Sequence, residues 1–123
     1  MPIPPAPSEL SISVGKIESS IHALYNILDE KQKEYVRLVE VRAKKENEYQ
    51  TAYHQKMIML NNEPVTIRKE LAKGDRLVSK LKMEYEISLG IEKACSESIK
   101  DYREKLAVFR SFLSYKKSER FGQ

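Results

Sequence analysis

Val14, Ile17, Ile21, Leu24 and Leu28 alternate three and four residues apart, which places them on one stripe of an α-helix. The period continues with drift through Tyr35, Leu38, Val39, Ala43, Tyr49, Tyr53, Met57 and Leu60, and no proline or glycine interrupts residues 16–62. The run stops at Asn61-Asn62-Glu63-Pro64. Asparagine tolerates the backbone angles of a helix end, and proline suits the first turn of a new helix. The pattern therefore predicts a corner at Asn61–Asn62 with Pro64 inside the first turn of a second helix. A proline-kinked continuous helix is the alternative.

The second helix carries the cleaner pattern. Ile67, Leu71, Gly74, Val78, Leu81, Tyr85, Ser88, Glu92, Cys95, Ile99, Tyr102, Leu106, Phe109 and Leu113 alternate steps of four and three without a slip. A repeat of that kind, averaging about 3.5 residues, is a coiled-coil seam. Leu77, Ile87, Leu89, Ile91 and Ala94 lie beside it and widen the apolar face beyond the needs of a two-stranded pair. The expected fold is all-α: two long helices in an antiparallel coiled-coil hairpin, assembling into a homo-oligomeric helical bundle. A homodimer is preferred over a higher oligomer. The predicted oligomer and core seam comprises Ile17, Ile21, Leu24, Leu28 and Tyr35 on the first helix. On the second it comprises Ile67, Leu71, Val78, Leu81, Tyr85, Cys95, Ile99, Tyr102, Leu106, Phe109 and Leu113.

Ahead of the helices, residues 1–8 open as MPIPPAP, a proline-rich stretch that reads as extended. Ser8 is the first candidate N-cap, with Ser11 and Ser13 as alternatives. One hairpin domain then spans about 9–119, with helix one at about 9–61, a turn near 61–64, helix two at about 64–118 and a short tail over 119–123.

Composition narrows the class further. The chain has 123 residues, of which 33% are charged, with four glycines and no tryptophan, a profile of long helices rather than a mixed compact fold. Net charge is +4, and its location matters more than its size. Residues 1–62 hold eight basic and eight acidic side chains, and residues 63–99 hold seven of each. Residues 100–123 hold seven basic against three acidic, so the whole excess lies in the last 24 residues. There Arg110, Tyr115, Lys116, Lys117, Arg120 and Phe121 mix cations with aromatic rings. Cations that track phosphates beside rings on which bases stack are the ingredients of single-strand nucleic-acid binding. The same residues can dock a protein partner, or simply complement the negative end of a helix.

Catalytic and metal constellations are poorly supported. No GxGxxG or Walker loop is present, and the four glycines lie far apart. His22 and His54 would stand about 48 Å apart on a straight helix, too far to share an ion. Cys95, the single cysteine, falls on the seam, where it acts as a small apolar residue. Glu92, also on the seam, either pairs with a Lys or Arg of the facing helix and fixes register, or turns out to solvent. No cofactor and no small-molecule substrate are expected. No run approaches the roughly 20 apolar residues of a membrane span, and no leader is visible, so a cytoplasmic location is expected.

Leu106, Phe109, Arg110 and Ser111, followed by Lys116 and Lys117, form a Leu-x-x-hydrophobic-Arg-Ser segment with a basic tail. With Tyr49-x-x-Ala52-Tyr53, this resembles the small helical-hairpin accessory proteins that tailed bacteriophages encode near their replication and recombination genes. The resemblance covers roughly residues 14–115. It implies a non-enzymatic oligomerisation and protein-interaction module in the host cytoplasm, working beside proteins of phage DNA replication or recombination. A single-stranded nucleic-acid binding protein is the alternative, and a structural or secretion-related hairpin comes last.

Overall fold

A computed structural model describes residues 13–121. The proline-rich segment, the Ser8 cap and the expected helix start at residue 9 lie outside the described residues. Three helices follow: α1 (Val14–Met59), α2 (Val65–Gly74) and α3 (Arg76–Phe121), with no strand among the described residues. They divide into two compact units. One is Lys33–Ser96; the other joins the described residues up to Gln32 with those from Glu97 onward.

Ser13 caps α1. Its Oγ accepts a hydrogen bond from the Lys16 amide at 3.1 Å, satisfying one of the amides a helix start leaves unpaired. At the far end α1 closes at Met59, its last i→i−4 bond running from the Leu60 amide to the Lys56 carbonyl at 3.1 Å. Asn61 then donates to the Ile58 carbonyl and Glu63 to the Leu60 carbonyl, both in turn geometry. Residues 60–64 are non-helical, so the break is a corner and not a kinked helix. Pro64 sits at the N-cap of α2, one position earlier than expected, with φ −58° and ψ 152°. Its missing amide costs nothing there.

The single long second helix needs correction. It is two helices, parted at Asp75, whose backbone is extended at φ −65° and ψ 137°. Gly74 is a weak helix former and aspartate a strong N-cap, and Asp75 uses that property: its Oδ2 accepts from the Val78 amide at 3.1 Å. Ser79 Oγ donates to the Lys73 carbonyl at 2.9 Å and ties the two helix ends together. The break turns α2 so that its Ala72 is buried, while Ile67 and Leu71, both expected on the seam, are each 47% exposed.

Within each unit the two long helices run antiparallel. In Lys33–Ser96, Arg42 meets Glu92, Tyr49 meets Tyr85, and Lys56 meets Asp75, so one number rises as the other falls. In the other unit Glu18 meets Lys117 and Tyr25 meets Arg110. That unit has an apolar core: Ile17, Leu24, Leu28, Ile99 and Leu106 are buried, with Ile21, Tyr102, Phe109 and Leu113 half-buried around them. The unit Lys33–Ser96 buries less. Its apolar interior is Leu38, Ala72, Val78 and Cys95, joined by the polar Ser88 and Glu92, with Tyr35, Leu81 and Tyr85 half-buried.

Candidate interaction site

The inner face of α1 in Lys33–Ser96 keeps strict steps of three and four through Tyr35, Leu38, Arg42, Lys45, Tyr49, Ala52 and Lys56, all buried or half-buried. Three of these seven are cations. The expected drift through Ala43 does not occur, and Ala43 is exposed. Following apolar residues alone finds Tyr35, Leu38 and Tyr49 but misses the charged positions between and beyond them.

Each cation faces an anion across the unit. Arg42 Nε donates to Glu92 Oε2 at 2.7 Å, Lys45 Nζ to Glu84 Oε1 at 3.1 Å, and Lys56 Nζ stands 3.3 Å from Asp75 Oδ1. The open question about Glu92 is thus resolved as inward pairing. Arg42 also donates through Nη1 to Glu46 Oε1 at 3.0 Å, and Glu46 Oε2 accepts from the Tyr85 hydroxyl at 3.4 Å. The Tyr85 ring stacks on Tyr49, centroids 6.0 Å apart and planes 12° from parallel. Ser88 Oγ donates back to the Tyr85 carbonyl at 2.7 Å.

The electrostatics follow from these contacts. The Glu92 hydrogen bond holds the Arg42 guanidinium above its usual pKa, and Glu84 does the same for the Lys45 ammonium. Desolvation, then the Glu46 charge, pushes the Tyr85 hydroxyl up. The Val78 amide draws the Asp75 carboxyl down, with Lys56 adding to it. Each cation of the cluster thus has a carboxylate opposite it, a pairing that favours one register of the two helices. Among the described residues, no three His, Cys, Asp or Glu side chains gather where an ion could be held. His22 and His54 are both exposed.

With charge turned inward, apolar side chains are left outside. On α3, Leu77, Met83, Ile87 and Ile91 are exposed; around the corner, so are Ile58, Met59, Val65, Ile67 and Leu71. The unit Lys33–Ser96 therefore shows more large apolar side chains than it buries.

The basic end belongs to the other unit. Arg110 lies over the Tyr25 ring, 5.2 Å from its centroid, and Lys117 Nζ stands 3.8 Å from Glu18. Two of the expected contact cations thus have partners within the chain. Lys116 is half-buried and Tyr115 exposed, its hydroxyl pushed up by the Glu119 carboxylate. Tyr115 also borders an open groove of about 570 Å³ along α3 with Ala107, Val108, Ser111 and Phe112. The side chains of Arg120 and Phe121 lie outside the described residues.

No described helix is long and apolar enough to cross a membrane. Comparison with known proteins assigns no relative: no family model matches the chain, and neither a curated protein nor a solved structure matches it significantly.

Proposed function

We propose that the chain is a non-enzymatic interaction module that works as a self-associated helical bundle of coiled-coil type. One observation carries this reading: in Lys33–Ser96 the charged side chains pair across the inner face, while Leu77, Met83, Ile87 and Ile91 face out. Large apolar surfaces left in water on a small helical unit mark a place where another chain sits. A hairpin of this size also gains most of its stability from packing against more helices. A setting in phage DNA replication or recombination belongs to the same proposal and rests on the pattern resemblance alone.

The test is sedimentation velocity over a wide concentration series, at low and high salt. The expected result is a species heavier than one chain that persists at high salt, because apolar contacts are not screened. A single-chain species at every concentration would remove the proposal.

Direct binding of single-stranded nucleic acid through the basic end is the second reading. It is favoured by the exposed Tyr115 beside Lys116 and weakened by the intrachain partners of Arg110 and Lys117. If it holds, a labelled oligonucleotide binds with steep salt dependence, and neutralising Lys116, Lys117 and Arg120 together abolishes binding.

A further inference from the structure

The outer side of α3 carries Met83, Ile87 and Ile91 at 57%, 54% and 50% exposure, with Gly90 and Ala94 exposed among them. Steps of four and three place them on one stripe about three turns long. A Cβ built on Gly90 meets nothing within 4 Å, so the chain does not fill the space over it. Glu86 and Lys93, two turns apart on the same edge of the stripe, are exposed, and neither forms an ion pair among the described residues.

We propose that this stripe is the self-association face: two copies pack α3 against α3, antiparallel, about a two-fold axis crossing the helix near Leu89 and Gly90. The inference rests on the self-association reading above and adds the surface, the orientation and the register. A two-fold axis makes one patch meet itself. Placed there, it sets Ile87 against Ile91 of a second copy and Ile91 against Ile87, so four isoleucines form the central layer. Met83 then lies over Ala94 of the second copy, a long side chain against a short one, and Gly90 lets the two backbones approach. The same axis brings Glu86 level with Lys93 of the second copy, twice by symmetry. In a parallel pairing the same edge of the two copies lies on opposite sides of the interface, so Glu86 and Lys93 would meet no complement there. The charge pattern therefore selects the antiparallel arrangement, and it selects a second copy of this chain, since the complement of each charge is on the chain itself.

The experiment is a charge swap read by dimer affinity. Glu86→Lys alone and Lys93→Glu alone each set like charges against each other and weaken the dimer by about tenfold or more. The double variant carrying both changes restores wild-type affinity to within about twofold, because each new charge again meets its opposite. Ile87→Glu with Ile91→Glu leaves a single-chain species whose helicity, read by circular dichroism, is unchanged, since both residues are exposed in one chain. In a Cys95→Ala background, Gly90→Cys cross-links to itself under mild oxidation and Val108→Cys does not. Association that is unaltered by these variants, or a double swap that fails to restore it, overturns this face while leaving self-association standing. A wild-type chain that never associates overturns both.

Discussion

Asp75 does three jobs with one side chain and its own backbone. It ends α2, its carboxylate caps α3 through the Val78 amide, and it meets Lys56 at 3.3 Å. Its carboxyl pKa is lowered in the folded chain, chiefly by the Val78 amide. A depressed folded pKa contributes stability that is present above the unfolded value of about 3.9 and is lost as pH falls through the folded one. Thermal melts from pH 6 to pH 2 should show that loss, and Asp75→Asn, which can still cap but cannot ionise, should lose the part of the acid slope that Asp75 supplies. An unchanged slope would mean that the carboxylate is as solvated in the folded chain as in the unfolded one. At buried apolar positions the expectation is larger. Leu106→Ala should cost about 2–5 kcal/mol in urea unfolding, whereas Leu71→Ala, on the open face of α2, should stay within about 0.5 kcal/mol. Apolar spacing alone could not separate these two leucines. The separating signal was Gly74-Asp75, a weak helix former followed by a cap, which an unbroken run of seam positions hides.

Among the elements, α1 and α3 carry an address written in charge. In Lys33–Ser96 the cations Arg42, Lys45 and Lys56 are on α1, and their anions Glu92, Glu84 and Asp75 lie on or beside α3. In the other unit the sense reverses, with Glu18 on α1 and Lys117 on α3. Sliding either helix by a turn would set these charges against the wrong neighbours, so the pattern chooses one register, as polar seam positions do in coiled coils. Arg42→Glu or Glu92→Arg alone should lower the melting temperature by placing like charges on a half-buried face. The pair of changes together should recover most of the loss in a double-mutant cycle. No coupling in that cycle would make the 2.7 Å contact incidental. The corner at Asn61–Asn62 and the seam from Val78 to Leu113 were legible in sequence, because turn chemistry and an unbroken period are local signals. The charged positions of the α1 seam were not. Arg42, Lys45 and Lys56 give no apolar signal, and their inward place emerges only when the chain is folded back and each meets its anion.

At the scale of the whole molecule, the two units bury different chemistry. The unit built from the chain's two ends has a core of Ile17, Leu24, Leu28, Ile99 and Leu106. Lys33–Ser96 places charges where a core would be and leaves isoleucines out, which makes sense for a segment that completes its core with another copy. Sequence could show that the apolar face of α3 is too wide for one partner helix, but not which side a second copy takes. That depends on where α1 sits, and its charged seam concealed this. The most direct measurement is light scattering on the wild-type chain as it leaves a size-exclusion column. The account predicts a mass at least twice the 14.3 kDa of one chain, unchanged by high salt. A well-folded 14.3 kDa species across the concentration range would contradict it, and would mean that Met83, Ile87 and Ile91 are simply tolerated in water.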